Sequence, residues 1–246
     1  MFSIFKRKHP VTNDFSDLIT DMHSHLLPGI DDGATDPGNS IQLIRGLQEL
    51  GYSKFITTPH IFWDMYKNDP NTIGSAHQNL QIELNKLGMN TPLHPAAEYY
   101  LDDHFDELLD SNDPLLSVKD KMVLVEFSFV NAPVNYKNQL FRLQISGYQP
   151  ILAHPERYLY LGGDKKVFDE LKNAGCLFQV NMLSLAGYYG KPSQDLAQYL
   201  LKKNYIDLLG TDLHHLRHLE ALRSSSHIMP AVQSLLQSGQ LLNPGL

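Results

Sequence analysis

The chain has 246 residues, of which 42% are hydrophobic and 19% are charged, and this composition is that of a globular protein with one full core. Its formal net charge of -7 argues mildly against a nucleic-acid-binding protein, and no apolar run approaches the length of a membrane span. Cys176 is the single cysteine, which excludes an intramolecular disulfide framework and a cysteine-rich zinc site. Residues 1–8 are basic without an apolar stretch, so we expect no signal peptide and a cytoplasmic protein.

Seven short apolar runs predict β-strands, and they lie at residues 18–22, 54–58, 93–97, 122–127, 149–153, 177–181 and 206–210. Amphipathic stretches separate them, and four of these stretches end at a glycine that is typical of a helix C-terminus: Gly51, Gly88, Gly147 and Gly175. Strands that alternate with helices indicate a parallel sheet, and seven units in one domain favour a closed or nearly closed (β/α) barrel. We expect residues 1–17 to form an N-terminal arm and residues 18–246 to form one domain.

Two histidines follow the first predicted strand. His23 and His25 are two positions apart, so in extended backbone their imidazoles point the same way and can bind one metal ion. Such a pair occurs more often by chance than as a metal site. Its meaning therefore depends on the residues at the ends of the other strands.

Six of the seven predicted strands finish in a side chain that can bind a metal. After the first strand these residues are, in chain order, His60, Glu98, Glu126, His154, Asp212 and His214, and Asp32 lies in the loop after the first strand. Each could separately be a turn or core residue, but chance would scatter histidines and acids along helices and strand starts as well. Chemistry in β/α barrels collects at the C-terminal strand ends, and nine N and O donors without a thiolate favour two or three divalent ions that act on phosphate esters.

Seven other histidines do not follow this pattern. We interpret six of them as surface or packing residues: His9, His77, His94, His104, His218 and His227. His215 is ambiguous because it lies beside His214.

The strand-end motifs resemble the PHP superfamily (polymerase and histidinol phosphatase). They are D-x-H-S-H-x-L-P-G-I-D-D-G at residues 21–33, T-P-H at 58–60, A-E-Y-Y at 97–100, L-V-E-F-S at 124–128, A-H-P-E-R at 153–157 and T-D-L-H at 211–214. The D-D-G and H-P-E-R elements are similar to those of the bacterial manganese-dependent tyrosine phosphatases of capsule and exopolysaccharide operons. The resemblance extends from about residue 19 to the last helix.

The resemblance implies a distorted (β/α)7 barrel of PHP type with its active site at the C-terminal strand ends and with two to three metal ions, manganese before iron or zinc. The implied ligand sets are His23, His25, Glu98 and Asp212; Glu98, Glu126 and His154, with Glu98 bridging; and Asp32, His60 and His214. The resemblance also implies that Arg157 binds the substrate phosphate. Arg217 is the candidate for a second phosphate-binding arginine, and Arg223 is a weaker one. His60 and His214 are candidate proton donors if they are not fully used as ligands.

The expected activity is that of a phosphoric monoester hydrolase that removes phosphate from phosphotyrosine in protein by means of a metal-bound hydroxide. The expected partner is a bacterial tyrosine kinase in capsule or exopolysaccharide regulation, and we expect no nucleic-acid partner. One alternative is a phosphatase for a small molecule such as histidinol phosphate, which would need a deeper and more closed pocket. Another is a metal-bound scaffold or regulator without turnover.

Two further sequence features bear on the substrate and the nucleophile. Residues 61–66 are rich in aromatic side chains, which could stack on a phosphotyrosine ring or pack on the barrel rim, and we weigh these two roles equally. The cysteine-dependent tyrosine phosphatases need C-x5-R. The position six residues after Cys176 holds Met182, which excludes that mechanism, and Cys176 is most simply a small core residue.

Overall fold

The computed structural model describes residues 13–111 and 113–246. Most of the predicted arm, residues 1–12, lies outside these ranges. Of the remainder, Asn13 and Phe15 are buried, and the Phe15 N–H donates to the Leu50 carbonyl at 2.7 Å while the Asn13 amide donates to the Leu222 carbonyl at 2.6 Å. Residues next to the domain boundary therefore pack on the domain, and the boundary at residue 18 stays a prediction.

All of the strand pairs in the described ranges are parallel. The strands are β1 (Thr20–Asp21), β2 (Lys54–Thr57), β3 (His60–Ile61), β4 (Leu93–Pro95), β5 (Glu98–Tyr100), β6 (Met122–Glu126), β7 (Gln149–Ala153), β8 (Leu177–Asn181) and β9 (Leu208–Gly210). They form one sheet of order β1-β2-β4 and a second of order β3-β5-β6-β7-β8-β9. Each of the seven predicted strands contains an observed one.

The helices of the described ranges follow the strands as predicted. They are α1 (Pro37–Glu49), α2 (Pro70–Lys86), α3 (Asp103–Ser111), α4 (Tyr136–Ile145), α5 (Lys166–Asn173), α6 (Met182–Leu185), α7 (Lys191–Lys202), α8 (Leu216–Ser224) and α9 (Ile228–Ser238), with short 3-10 helices at Ser16–Leu18, Pro155–Arg157, Leu159–Gly163 and Asn243–Gly245. The four predicted C-terminal glycines have positive φ angles of 66 to 98°, which a residue without Cβ adopts freely.

The two sheets are parts of one distorted barrel. β2 and β3 together occupy one strand position of the barrel, and β4 and β5 together occupy another. In each case two residues interrupt the strand. Between β2 and β3 these are Thr58 and Pro59, and proline lacks the N–H that strand pairing needs. The first and last positions meet through the Asp212 N–H, which donates to the His23 carbonyl at 2.8 Å, and the His25 N–H, which donates to the Leu213 carbonyl at 3.0 Å. These hydrogen bonds and a parallel bridge between Ser24 and Leu213 bring the first and last positions together, although β1 and β9 do not pair as strands, so the parallel sheets agree with a distorted barrel that no continuous ladder closes.

Two predicted strand starts were wrong, and four predicted strand ends lie one or two residues beyond the observed ones. Leu18 belongs to a 3-10 helix and Ile19 has a φ of 64°, so the first strand begins at Thr20 rather than at residue 18. The last strand begins at Leu208 rather than at residue 206. In both places the apolar run starts ahead of the strand, because it includes buried residues that precede the extended backbone.

Two apolar clusters support the strand ends. The larger one packs helices against the sheets, and a smaller one contains strand residues including Ile56, Leu124, Ile151 and Leu208. Leu124 lies two residues before Glu126 on the same face of β6, so the smaller cluster packs directly beneath the strand-end side chains. Within the described ranges, no helix is both long and apolar enough to cross a membrane.

Candidate metal centre

The nine predicted ligands converge at the C-terminal ends of the strands. Four sets each have donor atoms that all lie within 4.8 Å of one another: His25, Asp32, His60 and His214; His23, His154 and Asp212; His23, His25 and Glu98; and His60, Glu98 and Glu126. The sets share members, so the side chains form one continuous cluster. The structure therefore brings the nine residues together, although their division among individual ions stays a prediction.

Glu98 lies at the middle of this cluster and is fully buried. Its Oε2 atom is 3.2 Å from His23 Nε2 and 3.2 Å from His60 Nδ1, while its Oε1 atom is 3.1 Å from His154 Nε2. The two carboxylate oxygens thus face different imidazoles. This position suits the bridging role that the family resemblance implies.

Asp32 closes the exposed side of the cluster. Its side chain is 54% exposed, and its Oδ1 atom is 3.6 Å from His60 Nε2 and 3.6 Å from His214 Nε2. These three residues follow three different strands, so their meeting depends on how the loops and strand ends at this edge are placed.

Two site residues have strained backbone conformations. His154 has a φ of 30° and Asp212 a φ of 50°, in the left-handed region that residues with a Cβ rarely occupy. The His154 N–H is held by the side-chain oxygen of Gln179 at 3.3 Å, and the Asp212 N–H by the His23 carbonyl at 2.8 Å. Such strain persists only where neighbouring groups enforce it, and here it turns both side chains toward the cluster.

Three polar residues that the sequence analysis did not select orient the cluster. Asp31 accepts from His25 Nδ1 at 2.8 Å, the Gln179 side-chain oxygen lies 2.8 Å from His23 Nδ1, and the Asn181 amide donates to Asp212 Oδ2 at 2.7 Å. A carboxylate or amide oxygen on Nδ1 leaves Nε2 of each imidazole as the free donor for a metal. The sequence offers only a weak indication of this role. Gln179 and Asn181 are polar residues in an otherwise apolar strand, but that strand ends without an ionisable side chain and so did not suggest a link to the metal site.

The electrostatics of the acids indicate a need for cations. Burial raises the pKa of Glu98, but His23 and His60 outweigh it and hold that pKa well below its usual range. Burial, together with Glu98 and Asp212, raises the pKa of Glu126 well above its usual range. A bound cation would allow all of these carboxylates to ionise side by side.

The donor set fits divalent metal ions. His60 Nδ1 and Glu98 Oε1 are buried and lie close to Glu98 Oε2 and His154 Nε2, respectively, but neither forms a hydrogen bond of good geometry among the described residues, which is costly unless another group satisfies them. Imidazole nitrogens and carboxylate oxygens are the donors that manganese, iron and zinc ions accept. The residues present therefore match the metal centre that the sequence motifs predict.

A cleft of about 230 Å³ opens over the cluster. Its lining consists of Asp32, His60, Glu126, Phe129, His154, Arg157, Tyr189, Asp212, His214, His215 and His218. Arg157 lies in this cleft and donates to Asp212 Oδ2 at 3.1 Å, whereas Glu156 is buried beside it and accepts from the Ser184 hydroxyl at 2.6 Å. Arg157 is therefore placed where a phosphate above the cluster would meet it.

The other candidate residues occupy different surroundings. Arg217 is exposed on α8, outside the described lining of the cleft, and Arg223 forms ion pairs with Glu49 and Glu220. His218 is buried and packs on His215 with ring centroids 3.9 Å apart. His215 and His218 both line the cleft, so His218 packs as predicted but also borders the site, and the ambiguous His215 lies at it.

The aromatic segment at residues 61–66 packs mainly on the rim. Phe62 stacks on Tyr100 with centroids 4.0 Å apart, and Trp63 stacks on His104 at 3.9 Å. Tyr66 differs, because its ring lies parallel to that of His60 at 5.5 Å. The segment thus supports the rim and reaches the site through Tyr66.

Known proteins resemble this chain over most of its length. A family model described as "Capsular polysaccharide synthesis, CpsB/CapC" matches residues 19–233. Tyrosine-protein phosphatase YwqE of Bacillus subtilis (strain 168) is 35% identical over 201 residues, which cover 80% of this chain and 78% of YwqE. Putative tyrosine-protein phosphatase CapC of Staphylococcus aureus is 29% identical over 234 residues, which cover 91% of each protein.

A solved structure agrees with these relatives. It comes from work described as "Crystal structures of YwqE from Bacillus subtilis and CpsB from Streptococcus pneumoniae, unique metal-dependent tyrosine phosphatases". The two folds superpose with a TM-score of 0.78 at 29% sequence identity, and the match covers 92% of this chain and 90% of the other.

Proposed function

The chain belongs to the CpsB/CapC family of capsular polysaccharide synthesis, and from that premise we propose that it is a metal-dependent protein-tyrosine phosphatase. One observation carries the proposal: nine N and O donors form one cluster, and the Arg157 guanidinium lies with six of them in the cleft that opens over it. The cluster accounts for metal dependence, and the arginine accounts for an anionic substrate.

The chain's own residues have distinct roles in this proposal. Divalent ions held by the cluster would neutralise phosphate oxygens and lower the pKa of a bound water. Arg157 binds the remaining phosphate oxygens through its planar N–H donors, and Asp212 holds it in place. The tyrosine hydroxyl has an ordinary pKa of about 10, so the leaving phenolate needs little protonation, and His60 and His214 can serve fully as ligands.

The finer parts of the proposal concern the metal, the partner and the location. The cluster would hold two to three ions, and manganese is our first choice because the sequence motifs resemble manganese-dependent enzymes. The substrate would be a phosphotyrosine protein, with a bacterial tyrosine kinase of capsule or exopolysaccharide regulation as the expected partner. The enzyme would act in the cytoplasm.

Substrate preference tests this function directly. We expect phosphotyrosine peptides to exceed phosphoserine peptides and histidinol phosphate by at least about tenfold in kcat/KM, because the cleft favours an aryl leaving group beside aromatic side chains. Steady-state kinetics on the three substrates, with metal content measured on the same sample, give the comparison. A higher kcat/KM for histidinol phosphate would instead establish the small-molecule alternative.

Cys176 provides a test of the nucleophile. Its side chain is buried, and burial raises the pKa of the thiol to about 12, so it carries almost no thiolate at neutral pH. We expect Cys176→Ser to keep kcat within about twofold of the wild type, because the reaction does not pass through this sulfur. Loss of turnover in a folded, fully metallated Cys176→Ser protein would contradict the metal-dependent mechanism.

A further inference from the structure

The Arg157 guanidinium touches two aromatic rings as well as the Asp212 carboxylate. Its Cζ atom is 4.5 Å from the centroid of the Phe129 ring and 4.2 Å from that of the Tyr189 ring. Both distances are within the range in which a cation is attracted to an aromatic face. Three separate segments therefore act on one guanidinium.

The placement of Phe129 is unusual for a large apolar residue. It lies three residues past Glu126 in the loop after β6, and 46% of it is exposed in the cleft wall. Its ring also lies nearly parallel to that of His154, with centroids 5.4 Å apart and planes at 21°. Its ring also lies 5.8 Å from that of Tyr158, so the contacts with Arg157, His154 and Tyr158 are what this half-exposed position provides.

The surroundings of Tyr189 also indicate that its ring, rather than its hydroxyl, makes the important contact. Its hydroxyl oxygen is buried and has no hydrogen-bond partner among the described residues, although buried tyrosines usually bond through that group. The ring itself contacts Arg157 and lines the cleft. Hydrogen bonding of the hydroxyl therefore does not explain why the side chain lies here.

We propose that Phe129 and Tyr189 are positioning residues that hold the plane of the Arg157 guanidinium for phosphate. The rings restrict the tilt of the plane and Asp212 fixes its direction, while the remaining N–H donors, which have no acceptor among the described residues, stay available to the substrate. A donor that is already oriented does not reorganise during the reaction. The proposal rests on the proposed function, because it assumes a phosphate ester as substrate.

The central test compares substitutions that remove each ring with substitutions that keep it. In the metal-loaded full-length protein, with p-nitrophenyl phosphate as substrate, we expect Phe129→Leu and Tyr189→Leu each to lower kcat/KM by about 10- to 100-fold. Phe129→Tyr and Tyr189→Phe keep the rings, so they should stay within about threefold of the wild type. The inhibition constant of inorganic phosphate should rise in the leucine variants only. Phe141→Leu, at an exposed phenylalanine of α4 outside the described cleft lining, is the matched control.

A double-mutant cycle separates positioning from a structural role. If the rings act through Arg157, the losses caused by the leucine substitutions should largely disappear in an Arg157→Ala background. Equal losses in both backgrounds would overturn the proposal, and so would a Tyr189→Phe variant as impaired as Tyr189→Leu. Methionine replacements at both positions keep the apolar volume and repeat the test if a leucine variant fails to fold.

The same measurements distinguish this inference from the proposed function. A metal-loaded wild type that hydrolyses neither p-nitrophenyl phosphate nor phosphotyrosine peptides would refute the phosphatase proposal. An active wild type whose leucine variants keep full kcat/KM and an unchanged phosphate inhibition constant would refute the positioning role alone.

Discussion

Chelation of the purified protein should lower phosphotyrosine hydrolysis by at least about 10³-fold, and manganese should restore it. The reason is the charge of the site: Glu98, Glu126 and Asp212 are buried together, and Glu126 cannot ionise readily beside the other two carboxylates without a cation. Ions that bind only the folded protein stabilise it, so their removal should also lower the melting temperature by several degrees.

The control for chelation is a pair of glutamate substitutions. Glu98→Gln, at the middle of the cluster, should reduce both metal content and activity, whereas Glu83→Gln, at the surface pair with Lys86 on α2, should change neither. Elemental analysis and kinetics on the same samples provide the readout. Full turnover in protein shown to be free of metal would rule out the metal-dependent mechanism.

Substitution of Arg157 should produce the next largest effect. We expect Arg157→Ala and Arg157→Lys each to lower kcat by about 10²–10³-fold with metal content unchanged, the usual result of removing an oriented donor from a developing negative charge. Lysine should not replace it, because an ammonium group lacks the planar pair of N–H donors and cannot match the contacts with Asp212 and two rings.

Arg142 supplies the matched control for this arginine. It pairs with Asp106 at 2.6 Å between α3 and α4, outside the described lining of the cleft, so Arg142→Lys should leave kcat unchanged. Kinetics together with metal analysis separate a catalytic effect from a loss of ions. Normal turnover in a fully metallated Arg157→Lys protein would remove Arg157 from the mechanism.

The positions of the strands and of the strand-end side chains could be predicted from the sequence. Apolar runs and C-terminal glycines mark where each βα unit begins and ends, and parallel strands in a ring bring their carboxyl ends to the same rim. For that reason His60, Glu98 and Asp212 could be grouped although they are far apart in the chain. The aromatic segment at residues 61–66 shows where such prediction ends, because its composition was equally compatible with packing on the barrel rim and with stacking on a phosphotyrosine ring.

The orientation of the site could not be predicted in the same way. Gln179 reaches His23 across 156 residues, and the contacts of Phe129 and Tyr189 with Arg157 depend on loop conformations. The positive φ angles of Ile19, His154 and Asp212 likewise depend on tertiary contacts rather than on local propensity. Hydrophobic periodicity and motif spacing predict which strand, helix or loop a residue lies on, but they do not specify which distant side chain it contacts.

The contact between the first and last strands limits when the metal site can form during synthesis of the chain. The Thr211 N–H donates to the Asp21 carboxylate across 190 residues, and the cluster draws residues from both sides of this junction. On a ribosome that adds about 5–20 residues per second, the early histidines must wait on the order of ten seconds or more for their partners. During that interval a nascent chain has only part of the donor set, so we expect metal loading to follow the synthesis and folding of the last strand.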